Sequence, residues 1–117
     1  MSNKNSVITG VGMYVPEYRL TNNELSTMVD TSDEWITSRI GIKERRIMKD
    51  KDKASAYLGA QAVKQLLEKT GTDPLDIDLV ICATVVPDYV FPATGIIIAD
   101  MTGPKNAYAF DVHAACS

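Results

Sequence analysis

LVICATVV, residues 79–86, decides the fold class. The run is continuous, β-branched and apolar, the pattern of a strand covered on both faces as in a parallel sheet. Upstream, ASAYLGAQAVKQLLEKTG (54–71) is the clearest helix. Ala56, Gly59, Ala60, Val63, Leu66 and Leu67 form one stripe at helical spacing. Gly71 supplies its stop, with Pro74 shortly beyond. Downstream, FPATGIIIADMTG (91–103) predicts a helix with Pro92 near its start and Gly103 at its end. AYAFDV (107–112) predicts the next strand. Helix, strand, helix, strand is a βαβ pattern with an expected right-handed crossover, and so an α/β chain. Cys116 falls just past the C-terminal edge of the last strand, where ligands and chemistry gather in open α/β sheets.

The first half is less regular. SVITGVGMYVP (6–16) reads as a first strand bent at Gly10, Gly12 and Pro16. In TNNELSTMV (21–29), Thr21 and Glu24 have capping-box spacing, and Leu25, Met28 and Val29 share one helical face. DTSDEWITSR (30–39) repeats the box at Thr31 and Glu34. Acidic Asp33 and Glu34 suit the positive end of a helix that should stop at Gly41. IKERRIM (42–48) alternates apolar and basic residues and predicts an exposed strand or ribbon.

Composition narrows the function classes. A chain of 117 residues fits one domain. At 45% hydrophobic and 23% charged it reads as a soluble globular protein. A net charge of −3 offers no basic face for nucleic acid. Neither LVICATVV nor GIIIA approaches the roughly 20 apolar residues that cross a bilayer, and MSNKNSVITG has no apolar signal-peptide core. Two cysteines make no disulfide framework, so the expected setting is a reducing cytoplasm with free thiols. The glycines of GVG lack the remaining spacing of a dinucleotide loop and read as a bend.

Taken alone, Cys116 has three readings: nucleophile, metal ligand or packing. A cysteine attacks as the thiolate, and a following helix N-terminus lowers its pKa from about 8.5. Ala114 and Ala115 leave room for a sharp turn and for a substrate. Zinc needs three or four protein ligands, and His113 with Cys116 makes only two. If the strand continues to His113, its side chain points away from a thiol at the following turn. Cys82, inside the apolar run, reads as packing.

Two stretches go further. DTSDEWITSRIGIKERRI (30–47) and AFDVHAACS (109–117) resemble β-ketoacyl-[acyl carrier protein] synthase III, a thiolase-like condensing family that starts fatty-acid synthesis. The likeness continues through ITGVGMYVPEYRLTNNEL (8–25) and VICATVVPDYVFPAT (80–94). The resemblance implies a layered αβαβα fold. Residues 1–117 would be the first part of its N-terminal half, incomplete at the C-terminal end. It implies an acyltransferase in which Cys116 takes an acyl group, usually acetyl, from coenzyme A. Malonyl on acyl carrier protein then loses carbon dioxide and attacks the thioester. Coenzyme A enters as part of the substrate; no cofactor and no metal are expected.

The resemblance also assigns roles. Trp35 stacks on the coenzyme A adenine, Arg39 lies on the other side of that ring near the phosphates, and Thr31 makes a nearby polar contact. Phe91 crosses a homodimer interface to close the partner's acyl pocket. The family's catalytic histidine and asparagine come from a C-terminal half that is not in this sequence. His113 does not match that histidine. On this reading the 117 residues alone are inactive in condensation. A related synthase priming a polyketide or quinolone pathway, and a non-catalytic coenzyme A-binding or assembly subunit, are the alternatives.

Overall fold

The computed structural model describes residues 5–115. Within them the chain forms two compact units, one from residues 15–52 and one from the remainder.

The larger unit holds the βαβ pattern. Helix α3 spans Ser55–Thr70, strand β3 Leu79–Ala83, helix α4 Thr94–Thr102 and strand β4 Tyr108–Val112. β3 and β4 pair in parallel, with Leu79 opposite Tyr108, Ile81 opposite Phe110 and Cys82 opposite Asp111. α4 lies on this sheet and α3 packs on α4. The helices come close because Gly59 has no side chain; a Cβ there would sit 2.6 Å from Ile98 Cδ1. Ala56, Ala60 and Ile98 form the buried core of the contact.

Neither helix caps itself. The N-cap positions are Ala54 and Ala93, which have no side-chain acceptor. Carboxylates from distant loops and strands replace the missing caps. Asp88 accepts from the Ala56 N–H through both oxygens, at 3.1 and 3.0 Å. Asp111, on β4, accepts from the Thr94 and Gly95 N–H groups at 2.7 Å each. A negative charge suits the positive end of each helix dipole.

This arrangement gives Asp111 a measurable role. Burial alone pushes its carboxyl up, but bonds from Gly95 and Thr94, with His113 nearby, bring it below the ordinary carboxylate range. A depressed folded pKa adds stability above the unfolded value of about 3.9 and loses it as pH falls through the folded value. Acid unfolding monitored by circular dichroism is therefore expected to be less steep below about pH 4 in Asp111→Asn than in the parent. Asp111→Ala, which orphans two N–H groups, is expected to cost about 2 kcal/mol at neutral pH.

One expectation for this unit changes among the described residues. Residues 6–16 form no strand. The Met13 N–H donates to Gln65 Oε1 of α3 at 2.8 Å. Gly12 permits that approach, since a Cβ there would lie 2.6 Å from Ala62 O. Among the described residues LVICATVV is covered on one face only. Leu79 and Ile81 are about half exposed, whereas Val80 and Cys82 face α4's side and are partly covered. Among the described residues only α4 packs broadly on the sheet, so alternate positions of β3 and β4 remain open.

The smaller unit is a two-stranded ribbon with two short helices. β1 (Arg19–Thr21) pairs antiparallel with β2 (Glu44–Arg46), with Leu20 opposite Arg45. α1 spans Asn22–Leu25 and α2 spans Asp33–Ile40. Thr21 caps α1, accepting from the Glu24 N–H at 3.2 Å. The reciprocal half of the expected box is absent, because the Glu24 carboxylate accepts from the Tyr18 hydroxyl instead. α1 is a single turn, so Met28 and Val29 bury no common face and stay exposed.

α2 starts one residue later than its box predicts. Ser32, not Thr31, is the N-cap and accepts from the Trp35 N–H at 3.1 Å. The stop is as expected: Gly41 has φ of 71° and its N–H donates to Thr37 O at 2.9 Å. That left-handed turn disfavours a Cβ even though no atom crowds it. Gly41→Ala is expected to lower stability by about 1 kcal/mol in chemical denaturation.

Candidate functional site

The candidate site residues that the structure describes in most detail lie on and beside α2. Ile36, only 3% exposed, is the helix's anchor in the smaller unit. Trp35, one position away, is 56% exposed. The tryptophan is therefore a presented ring rather than a packed one. Arg39 stands one helical turn on, with Cζ 5.4 Å from the Trp35 ring centroid, a cation–π distance. Because Ser32 takes the cap, Thr31 lines an open hollow of about 380 Å³ with Asp30, Ser32 and Trp35. Thr31, Trp35 and Arg39 are thus brought together.

The geometry modifies one expectation. A planar base held between Trp35 and Arg39 needs about 7 Å between ring and guanidinium, two van der Waals contacts. At 5.4 Å the arginine covers the ring itself. That spacing leaves no room for a planar ring between the two.

Sequence reasoning missed Asn22. It reads as the first residue of a capped turn, yet it is 1% exposed and its amide joins three segments. Nδ2 donates to Asp33 Oδ1 at 2.8 Å and to Ile42 O at 2.6 Å; Oδ1 accepts from Arg45 at 2.9 Å. Asp33 is also paired with Lys43 at 3.3 Å. The Asn22 hydrogen bond, then Lys43, holds the Asp33 carboxyl below its ordinary range. No local pattern marks such a hub, because its partners are 11 to 23 residues away.

At the far end of β4, Cys116 lies outside the described residues. The chain leading to it is clear. β4 ends at Val112, and Ala115 has φ of 48°, a left-handed conformation that few residues other than glycine adopt. The turn expected after the strand is present. His113 Nε2 sits 3.8 Å from Asp111 Oδ2, so the imidazole turns back along the strand. Cys82 is half-buried; burial, then Asp111 and Asp88, push its thiol up. Those surroundings favour the neutral thiol, in keeping with packing.

Phe91 is 86% exposed and follows exposed Tyr89 and Val90. The peptide bond to Pro92 is cis. Among the described residues no cluster of three histidine, cysteine or acidic side chains is arranged to hold a metal ion. None of the described helices is long and apolar enough to cross a membrane.

Comparison with known proteins finds one recurring likeness. The chain is 59% identical over 116 residues to β-ketoacyl-[acyl-carrier-protein] synthase III 2 of Bacteroides thetaiotaomicron, covering 99% of this chain and 35% of that protein. Over its whole length the chain matches β-ketoacyl-[acyl-carrier-protein] synthase III proteins. A synthase III of Phocaeicola vulgatus is 57% identical, again over 99% of this chain and 35% of the relative. Among solved structures, 3-oxoacyl-[acyl-carrier-protein] synthase III of Aquifex aeolicus superposes with a TM-score of 0.86 at 46% identity, covering 92% of this chain and 34% of that one. The priming β-ketosynthase of the R1128 polyketide pathway follows at 0.85 and 39% identity, covering 92% and 32%. No family model matches the chain. The chain spans about a third of the length of these synthase III relatives. Their likeness makes the fold thiolase-like α/β, as the β3–α4–β4 unit and the resemblance led us to expect.

Proposed function

We propose that this chain is part of a β-ketoacyl-[acyl-carrier-protein] synthase III that condenses an acyl-coenzyme A primer, acetyl-coenzyme A, with malonyl-[acyl carrier protein]. Cys116 attacks the thioester carbonyl and expels the coenzyme A thiolate, leaving an acyl-cysteine. Malonyl then loses carbon dioxide; the resulting enolate attacks the acyl-cysteine and releases the cysteine thiolate. The observation that carries the reading on this chain is the presented Trp35 ring, with Arg39 over it and Thr31 in the adjoining hollow. An aromatic face and a guanidinium suit a base and its phosphates.

Other parts of the machinery lie outside these 117 residues. The histidine and asparagine that hold the malonyl thioester would come from the C-terminal half, without which the chain alone is inactive. Phe91, exposed on its loop, would reach the acyl pocket of a second copy in a homodimer. The enzyme would work in the cytoplasm. One specific observation favours a second reading of the primer: the likeness to a polyketide priming synthase is nearly as strong in structure as that to the Aquifex enzyme.

Incubating the complete protein with acetyl-coenzyme A labelled in the acetyl group tests the assignment. Label on a peptide containing Cys116, discharged by malonyl-[acyl carrier protein], supports it. A folded protein that takes up no label from any acyl-coenzyme A refutes it and leaves the non-catalytic reading. Label from longer acyl donors but not acetyl selects the alternative primer.

A further inference from the structure

α2 has eight residues, fewer than the roughly 12–15 that hold a helix together in water. Something outside it must fix its direction. The buried Ile36 gives one point of attachment and leaves rotation about it. Asn22 supplies the rest. Asp33 opens the helix and Ile42 follows the Gly41 turn that closes it, and both meet the same Asn22 amide nitrogen. Arg45 of β2 donates to the other end of that amide, and the Asn22 N–H donates to Lys43 O at 3.2 Å. One buried side chain therefore ties both ends of α2 to the ribbon and leaves no donor or acceptor of its own unmet at these three contacts.

We propose that Asn22 is a positioning residue for the nucleotide part of acyl-coenzyme A. It touches no substrate. It sets the direction of the helix that presents Trp35 and Arg39, and so the plane on which a base stacks. The proposal rests on the reading of that pair as the nucleotide platform.

The test separates positioning from general stability by using two substrates in the complete protein: acetyl-coenzyme A, and acetyl-pantetheine, which lacks the nucleotide. For Asn22→Ala, KM for acetyl-coenzyme A is expected to rise about tenfold with kcat within about twofold. The parent and variant should use acetyl-pantetheine equally. Asp33→Ala cuts only the tie at the helix start, carries the same test should Asn22→Ala not fold, and is expected to show a smaller shift in the same direction. Equal losses on both substrates would reduce Asn22 to a fold-holding residue and overturn the proposal. An unchanged KM in both variants, while Trp35→Ala weakens acetyl-coenzyme A, also overturns it and leaves the platform intact. If Trp35→Ala itself changes nothing, the platform reading fails and the proposal falls with it.

Discussion

Cys116→Ser is expected to abolish acyl transfer. In the complete protein the rate of label uptake from acetyl-coenzyme A should fall at least about a thousandfold, with the fold unchanged by circular dichroism. A thiol near pKa 8.5 already gives a few per cent of thiolate at neutral pH, whereas a serine hydroxyl gives none without a base. No imidazole among the described residues is set up as that base: His113, the chain's one histidine, turns toward Asp111. Nor does the second thiol offer a bypass. Cys82 is partly covered on the sheet, opposite Asp111, and its surroundings favour the neutral form. Cys82→Ser should therefore take up label like the parent. Full-rate condensation by Cys116→Ser, or label on Cys82, would remove Cys116 from the mechanism.

What the sequence reveals here depends on how far apart the interacting residues are. The caps at Thr21, Gly41, Gly71 and Gly103 are legible because a cap and the group it satisfies lie within five residues. The helix α3 and the parallel β3–α4–β4 unit are legible because hydrophobic periodicity is also local. The carboxylates that cap α3 and α4 are not. Asp88 and Asp111 act across 32 and 16 to 17 residues, and the alanines at the cap positions give no hint of them. Asn22 is hidden for the same reason.

A second cause lies in what supplies cover and pairing. An apolar run such as LVICATVV records an affinity for cover but not what supplies it, so it does not foretell which face α4 takes. SVITGVGMYVP has strand composition, yet a strand exists only where a neighbour accepts its N–H groups. Here Gln65 of a helix accepts from Met13. In the candidate site, the family resemblance rather than a local pattern marks Trp35 and Arg39, and the structure adds that they lie within cation–π distance. Competition between Ser32 and Thr31 for one cap is decided by a single residue of register, which the repeated Thr–Glu spacing obscures.

Trp35→Ala is expected to raise KM for acetyl-coenzyme A by about 10- to 100-fold, the range that losing one base-stacking ring produces. The energetic case rests on exposure. Ile36 carries the burial on α2, so removing a ring that is 56% exposed should cost the fold little. A loss of affinity without loss of stability then belongs to the ligand. Arg39→Ala separates the two roles of the guanidinium. If Arg39 mainly neutralises phosphate, its removal weakens binding and flattens the dependence of KM on salt, because an exposed charge is screened within a Debye length of about 8 Å. If it mainly shields the tryptophan at 5.4 Å, its removal frees the face and KM falls. The first result is expected, since a guanidinium loses little by moving from a ring to a phosphate that it pairs with more strongly. A Trp35→Ala enzyme with parental KM would show that the exposed ring serves another surface, and α2 would no longer qualify as the nucleotide platform.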